Sequence, residues 1–175
     1  MRAGEARDPE AMTAMVHQFT TRRRVEFVDT DCAGIIHSTN YFRYMEEVEH
    51  AFLRSLGLSV HWPVEGGTVG FPKLSASCEF LRPVRFEDVL DIRLEVKRKG
   101  RTSLTYAFTF SKDGEEIARG EVTAVACLVG EEGKISPVPL PKAFSDRIGE
   151  APASADGSAG RGGDTSVHPT TRSPI

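Results

Sequence analysis

Two aspartates separated by a single residue, Asp29 and Asp31, are the side chains of this sequence best placed to do chemistry. They follow the apolar residues Phe27 and Val28 and precede Gly34, so they lie in a polar turn at the end of a strand-like run. A carboxylate in such a turn can cap a following helix, bind a cation, or act as a nucleophile or general base. The sequence around the turn decides among these roles.

The surrounding sequence excludes a calcium loop and disfavours phosphoryl transfer. A calcium loop starting at Asp29 needs an oxygen ligand at its fifth position and a glutamate at its twelfth, where this sequence has Ala33 and Asn40. An aspartate that accepts a phosphoryl group after an apolar strand, as in the haloacid-dehalogenase group, belongs to a fold of alternating strands and helices. In this chain strands follow strands, so structural capping and catalysis at a carbonyl remain.

A long helix positions the two aspartates. Apolar residues recur at steps of three and four along it: Tyr41, Met45, Val48, Phe52 and Leu56. This spacing predicts one helix from Thr39 to Leu56, roughly 27 Å long at about 1.5 Å per residue. Ser38 or Thr39 is expected to cap its start, and Gly57 is expected to end it as the C′ residue. Its N-terminus supplies unpaired N–H groups and a partial positive charge, which suits an oxyanion that forms on a carbonyl.

The same segment carries a family resemblance. The run Val28-Asp29-Thr30-Asp31-Cys32-Ala33-Gly34-Ile35-Ile36, followed by Asn40-Tyr41 and Glu46, resembles the motif of hotdog-fold acyl-CoA thioesterases and, among them, the 4-hydroxybenzoyl-CoA thioesterase family. The resemblance extends over about residues 18 to 145. It implies an α+β fold in which an antiparallel sheet of five to six strands wraps around one central helix. It also implies hydrolysis of an acyl-CoA, with no cofactor beyond the coenzyme A of the substrate.

The resemblance assigns catalytic roles around the turn. Asp31 is the implied catalytic carboxylate, either as nucleophile or as general base for water, and the backbone N–H of Ser38 is the implied oxyanion donor. Asp29 is expected to hold the turn. His37 replaces an aromatic residue of the family, and it is a candidate to orient water, to protonate the leaving thiolate, or only to fill space. No histidine in a triad-like context marks Cys32 as a nucleophile, so it is interpreted as a small packing residue.

Coenzyme A carries phosphates, which call for cationic and hydroxyl donors. The basic hairpin tip at Lys99, Arg101 and Ser103 is the predicted phosphate contact by resemblance, whereas composition alone favours a solvated tip. Two other basic positions of the family are Gly100 and Thr102 here. Gly34 and Tyr41 complete the predicted substrate-binding set. The acyl group is expected among four apolar residues: Phe42, Trp62, Phe71 and Leu74.

The strand pattern supports the α+β class. Alternation of apolar and polar residues predicts strands over about 74–80, 90–96 and 104–110, and a longer apolar run predicts a central strand over 117–129. Lys99-Gly100 and Asp113-Gly114 mark hairpin turns. A first strand is expected over about 19–28, a loop over 61–67 and a short closing helix over 141–148.

The composition indicates one soluble domain. The chain has 175 residues and a net charge of −3, which disfavours nucleic-acid binding. Three cysteines without a C-x-x-C pair, and no run of about 18 apolar residues, predict a cytoplasmic protein with neither a metal site nor a membrane span. Residues 1–15 are expected to be a flexible extension, 16–148 the thioesterase domain and 149–175 a disordered tail.

By resemblance the partners are an acyl-CoA substrate and further copies of the chain, as a dimer or, more typically, a tetramer built as a dimer of dimers. Two alternatives remain. A non-catalytic hotdog module that binds acyl-CoA would have no need of Asp31. A hotdog hydratase uses an aspartate and a histidine about five residues apart, whereas Asp31 and His37 are six apart here.

Overall fold

The structure, a computed structural model, describes residues 15–130 and 134–152. The expected N-terminal extension, except Met15, and residues 153–175 of the expected tail lie outside the described residues. In chain order the elements are β1 (Gln18–Arg24), a 3-10 turn (Phe27–Asp29), α1 (Ser38–Ser55), β2 (His61–Val64), β3 (Gly67–Gly70), β4 (Lys73–Phe80), β5 (Val89–Lys99), β6 (Ser103–Lys112), β7 (Glu115–Val125), β8 (Cys127–Val129), β9 (Ile135–Pro137) and α2 (Lys142–Arg147).

Helix α1 is the central element and confirms the predicted helix to within one residue at each end. Its apolar stripe is buried, and aromatic contacts join it to the sheet. The ring centroids of Tyr41 and Phe110 are 5.3 Å apart, and those of Phe52 and Tyr106 are 6.3 Å apart. Burying each such side chain contributes roughly 1.5–3 kcal/mol. Gly57 has a φ of 68° and ends the helix as expected, because this left-handed conformation strains residues that have a Cβ atom.

The N-cap differs from the prediction. His37 occupies this position, and its Nδ1 accepts a hydrogen bond from the Thr39 N–H at 3.3 Å. Ser38 and Thr39 lie inside the first turn. Ser, Thr, Asp and Asn are the usual N-caps, so a histidine that caps through its ring nitrogen leaves no ordinary signal in the sequence.

Five antiparallel strands form the sheet that faces α1, in the order β1-β5-β6-β7-β4. The predicted alternation on β5 and β6 is confirmed, because one face of each strand is buried against α1. The predicted run 117–129 divides at Ala126 into β7 and β8. β8 belongs to a second sheet with the order β2-β3-β8-β9, so the expected loop over 61–67 is instead strand β2 and the start of β3. The first strand ends at Arg24 rather than at residue 28, because a 3-10 turn follows it.

β4 is an edge strand with a bulge. The register shifts between Lys73 and Ser75, so Leu74 is the extra residue and its side chain is 65% exposed. The residues of β4 that face α1 are therefore Lys73, Ala76, Cys78 and Phe80, rather than a set that begins at Leu74. A bulge cannot be read from the alternation of residue types, which explains the difference.

The chain closes next to the end of β5. Helix α2 confirms the predicted closing helix, and Phe144 on it stacks on Phe71 with ring centroids 4.8 Å apart. Residues 149–152 still pack on the domain, since the Ala151 N–H donates to the Val96 carbonyl at 2.8 Å. The expected tail boundary at residue 149 therefore falls among residues that still contact the domain. In the described part of the chain, no helix has the length and apolar character needed to span a membrane.

Candidate active site

Asp29 organises the turn in front of α1. Its buried carboxylate accepts hydrogen bonds from the Tyr44 hydroxyl at 2.5 Å and from the Glu26 N–H at 2.9 Å, and it forms an ion pair with Arg43. Arg23 lies 3.9 Å away on the other side. Burial alone would raise the pKa of Asp29, but these hydrogen bonds and positive charges outweigh it and hold the pKa below its usual range.

The backbone of Asp29 also fixes the start of the helix. Its carbonyl accepts hydrogen bonds from the Asn40 side-chain amide at 2.7 Å and from the His37 N–H at 2.9 Å. Turn and helix are therefore joined through one residue whose side chain is itself fully bonded. Asp29 has the geometry of a residue that positions the turn, as expected, with no carboxylate oxygen left for substrate.

Asp31 presents its carboxylate differently. Its Oδ1 accepts from the Ala33 N–H at 2.8 Å, whereas Oδ2 accepts no hydrogen bond from the described residues. The turn closes through the Gly34 N–H, which donates to the Asp31 carbonyl at 3.0 Å, and Gly34 has a φ of 71° that favours glycine. One oxygen of Asp31 is thus held by the turn, and the other is open to a ligand.

Asp31 opens onto a cavity of about 430 Å³, which we call the Asp31 cleft. Its lining residues come from the turn, the start of α1 and the segment after β4: Asp31, Ile35, Ile36, His37, Ser38, Tyr41, Phe80, Leu81, Arg82, Pro83 and Val84. Tyr41 and Phe80 supply aromatic walls with ring centroids 5.0 Å apart. The sequence-predicted residues Asp31, His37, Ser38 and Tyr41 therefore meet at one site.

The first N–H of α1 is unpaired at this cleft. No described residue accepts a hydrogen bond from the Ser38 N–H, as expected for the first position of a helix. The helix dipole adds a partial positive charge at the same point. An open carboxylate oxygen and an open N–H donor beside an apolar cavity are the two groups that acyl transfer to water requires.

His37 has a defined hydrogen-bonding state. Its Nδ1 accepts from the Thr39 N–H and lies 2.8 Å from the Thr39 hydroxyl. Since Nδ1 is an acceptor, the neutral ring carries its proton on Nε2. This arrangement leaves Nε2–H available as a donor in the ring that lines the cleft.

The predicted phosphate-binding hairpin lies elsewhere in the chain. Arg101 is exposed and Ser103 is half-buried at the junction of β5 and β6. Lys99 donates to the carbonyls of Ser145 at 3.1 Å and Ile148 at 2.7 Å, so its ammonium group caps the end of α2 rather than standing open for a phosphate. The Asp31 turn lies beside the opposite end of β5, because Val84 and Asp88 next to it bond Ile36 and Val25.

The predicted acyl pocket is not formed. Trp62 and Phe71 both pack against Phe144 on α2, and Leu74 points outward at the bulge. Two apolar side chains after β4 do line the cleft, namely Leu81 and Val84. They lie outside the periodic pattern of the strand, so sequence reasoning missed them.

A second cavity of about 340 Å³ lies along α1 and is called here the Glu49 cleft. It is lined by Phe42, Arg43, Glu46, Glu49, Lys73, Ala76 and Val122. Glu49 is buried and forms an ion pair with Lys73. The sequence gives no sign that Glu49 faces inward, because Glu46, Glu47 and Glu49 are three acids within four positions. Within the described residues no group of three or more His, Cys, Asp or Glu side chains is arranged to hold a metal ion.

Comparison with known proteins agrees with this geometry. A sequence profile described as the thioesterase superfamily matches residues 33–118, which include the start of α1 and most of the sheet. A protein of Aquifex aeolicus (strain VF5) with a provisional esterase name is 36% identical over 121 residues, covering 69% of this chain and 91% of that protein. The chain belongs to the thioesterase superfamily.

Two further relatives place this thioesterase among proteins of the hotdog fold. The 4-hydroxybenzoyl-CoA thioesterase of Pseudomonas sp. (strain CBS-3) is 32% identical over 101 residues, covering 56% of this chain and 71% of that protein. The structure of a gentisyl-coenzyme A thioesterase superposes with a TM-score of 0.63 at 30% identity, covering 73% of this chain and 99% of the other. The predicted hotdog fold and the predicted thioester hydrolase are thereby confirmed.

Proposed function

We propose that this thioesterase hydrolyses CoA thioesters of hydroxylated aromatic acids to the free acid and coenzyme A. The observation that carries the proposal is the Asp31 cleft, where an open carboxylate oxygen, an open helix N–H and two aromatic walls meet. Similarity to thioesterases named for hydroxybenzoyl and gentisyl groups supports an aromatic acyl group over a fatty one. Aromatic rings also pack favourably against Tyr41 and Phe80.

The proposed chemistry uses groups of the chain alone. The thioester carbonyl oxygen accepts the Ser38 N–H, and the helix dipole stabilises the negative charge that develops there. Asp31 Oδ2 either takes a proton from a water that attacks the carbonyl carbon, or itself attacks that carbon. The carbon–sulfur bond then breaks, and coenzyme A leaves as a thiolate that takes up a proton. In the second case an acyl–aspartate anhydride forms, and water then hydrolyses it to release the acid and restore Asp31. Hydrolysis consumes only water, so no metal or redox cofactor enters the proposal.

His37 is proposed to donate a hydrogen bond from Nε2 within the cleft. Because Thr39 holds Nδ1 as an acceptor, the donor direction of the ring is set. The donor suits the departing sulfur or the carbonyl oxygen, both of which gain negative charge during the reaction. In this proposal His37 therefore forms a hydrogen bond, rather than only filling space as an aromatic residue would.

We further propose a homodimer that pairs β4 edges. Within one chain the hairpin at Arg101 lies across the sheet from Asp31: β5 spans 11 residues between them, roughly 33 Å at about 3.3 Å per residue. One acyl-CoA reaches both ends only if a second copy brings its hairpin to the Asp31 cleft. Among the described strands β4 has one unpaired edge, and an antiparallel pair of β4 strands places the ends of the two sheets in that way. We also predict that two such dimers assemble into a tetramer.

A reducing compartment, the cytoplasm, is proposed from the cysteines. Cys32, Cys78 and Cys127 are all free thiols in the structure. An exposed thiol such as Cys32 next to the catalytic turn is vulnerable to oxidation outside reducing compartments.

Thiol release from a panel of acyl-CoAs tests the substrate class. We expect 4-hydroxybenzoyl-CoA to give a kcat/KM at least about 10-fold higher than hexanoyl-CoA or decanoyl-CoA, because a polar ring gains both stacking and a hydrogen bond. Higher kcat/KM for the fatty substrates would overturn the aromatic assignment but leave the thioesterase intact. Binding of the panel without release of any thiol would instead favour the non-catalytic acyl-CoA-binding module.

A further inference from the structure

The Glu49 cleft contains a charge arrangement that the folded chain does not satisfy by itself. Glu49 is only 1% exposed, and its Oε2 pairs with Lys73. Its Oε1 is buried, and no described residue donates a hydrogen bond to it. A buried acceptor without a partner costs roughly 1–3 kcal/mol, and more when it is charged. Such a group points to a donor that arrives from outside the chain.

The walls of the Glu49 cleft suit a flat apolar group. Phe42, Ala76 and Val122 form the apolar part, and the charged lining residues are Arg43, Glu46, Glu49 and Lys73. The cavity of about 340 Å³ is within the size range of ligand pockets. A ring whose substituent carries a hydrogen-bond donor would bury its face on the apolar wall and donate to Glu49 Oε1.

The position of Lys73 and Phe80 on β4 relates the two clefts. Both side chains are on the face of β4 that looks toward α1, at opposite ends of the strand. Lys73 lines the Glu49 cleft, and Phe80 lines the Asp31 cleft. When two β4 strands pair antiparallel with full overlap, residue 73 of one copy lies opposite residue 80 of the other. Paired strands are about 4.8 Å apart, so the Glu49 cleft of one copy adjoins the Asp31 cleft of the other.

We propose that the buried Glu49–Lys73 pair of one copy forms the far end of the acyl site of the other copy and selects acyl groups that carry a hydroxyl donor. This inference rests on the proposed thioesterase function and on the β4 dimer. The thioester carbonyl lies at Asp31 and Ser38 of one copy, and the ring extends across the dyad. The hydroxyl donates to Glu49 Oε1, while the ion pair with Lys73 holds the carboxylate in place.

Matched substrates separate the effect of a hydroxyl donor from the effect of the size of the ring substituent. 4-Hydroxybenzoyl-CoA carries a donor, whereas 4-methoxybenzoyl-CoA carries only an acceptor of similar size. The test variant is the double substitution Glu49→Leu with Lys73→Met, which removes both charges together and avoids an orphaned ion. The control is Glu121→Leu with Lys97→Met, another lysine–glutamate pair, which lies exposed on the outer face of the sheet.

We expect the ratio of kcat/KM for hydroxy over methoxy substrate to fall by roughly 10- to 100-fold in the Glu49 and Lys73 variant, the size of one hydrogen bond to a charged group. The control variant should keep the wild-type ratio. An unchanged ratio in the test variant overturns the proposal. The same comparison is made for binding of free 4-hydroxybenzoate and 4-methoxybenzoate by calorimetry, so the recognition is tested even if no thioester is hydrolysed, an outcome that would defeat the proposed function alone.

Co-expression tests whether the pair acts across the dimer. One chain carries Asp31→Asn, and the other carries Glu49→Leu with Lys73→Met. In a mixed dimer one site combines an intact Asp31 with an intact pair from the opposite copy, so hydroxyl-selective hydrolysis should return. If the pair serves its own chain, every active site in the mixture lacks it and selectivity stays lost, which would refute the assignment to the partner. A thermal unfolding curve like that of the wild type shows that the variants fold.

Discussion

Two buried carboxylates of this thioesterase are held in opposite electrostatic states. Hydrogen-bond donors and positive charges surround Asp29, and they lower its pKa although burial alone would raise it. Burial is the leading influence on Glu49 and raises its pKa, while Lys73 and His50 counteract it only in part and Glu46 adds to it. Burial, reinforced by the charge of Glu49, also keeps the pKa of Tyr106 well above its usual range. Described residues bond both oxygens of the Asp29 carboxylate, whereas among them none donates to Glu49 Oε1.

The two carboxylates predict opposite dependences of stability on pH. The stabilisation from Asp29 is present above its unfolded-state pKa of 3.8 and is lost as the pH falls through the lower folded pKa. The pKa of Glu49 is raised, so its effect on stability is favourable below its unfolded-state value of 4.5 and is lost as the pH rises through the folded pKa. Denaturant unfolding of the wild type at pH 3 to 8 measures both effects as slopes of the free energy of unfolding against pH.

Single substitutions separate these slopes. Asp29→Asn should cost about 2 kcal/mol at pH 7 by breaking a buried charged network, and it should flatten the loss of stability below about pH 4. Glu49→Gln should instead flatten the decline in stability on the alkaline side of about pH 4.5. Identical pH profiles for the two variants would contradict the different environments of these carboxylates.

At the level of elements, the start of α1 joins structure to chemistry. His37 caps the helix through Nδ1 and lines the Asp31 cleft, where its Nε2–H is the proposed donor. Both features depend on the bond to Thr39, which sets the ring. The cap and the proposed donor therefore belong to one side chain.

Replacing His37 by phenylalanine should separate these two contributions. The lost cap predicts a decrease of about 1 kcal/mol in the free energy of unfolding. The lost Nε2–H predicts a decrease in turnover of roughly 10-fold or more. His61→Phe, which changes an exposed histidine on β2, is the matched control and should alter neither quantity. Wild-type kcat in His37→Phe would show that the ring only fills space, as one sequence-based alternative held.

The elements show which features a sequence can predict. Helix α1 and strands β5 and β6 were predictable because their apolar residues repeat with the period of the element over many residues. The bulge at Leu74 was not, since it arises in the pairing of β4 with the distant strand β7. The short hairpin of β2 and β3 was not predicted either, and its β3 strand joins the second sheet through the distant strand β8. In the site, the motif located Asp31 and Ser38, whereas Leu81, Val84 and the inward turn of Glu49 required the folded chain.

At the level of the whole molecule, the β4 edge is the surface best suited to bind a second copy of the chain. It is the edge of the five-stranded sheet next to both clefts, and it exposes Leu74 and Phe80. Unpaired edges of this kind tend to pair with another chain. The proposed dimer would cover the edge and complete the acyl site in one step.

A charge near the centre of β4 should prevent this pairing. Ser77→Glu introduces an acid close to the dyad in each copy and beside Glu121 on β7, so like charges oppose association by several kcal/mol. Sedimentation velocity should show a dimer or larger species for the wild type and monomers for the variant, together with loss of thiol release. Ser136→Glu, on the exposed strand β9, is the matched control and should stay assembled. A monomeric wild type with full activity would rule out a shared site.

The assignment of Asp31 as the catalytic carboxylate is the central claim, and one measurement tests it most directly. Thiol release from 4-hydroxybenzoyl-CoA is compared among the wild type, Asp31→Asn and Asp113→Asn. Asp113 lies in an exposed hairpin turn with a φ of 52°, a conformation that asparagine also adopts, so the same chemical change there should leave turnover intact. We predict that Asp31→Asn retains the fold and loses on the order of 10²-fold or more in kcat, as expected for a base or nucleophile. Turnover in Asp31→Asn equal to that of Asp113→Asn would contradict the account.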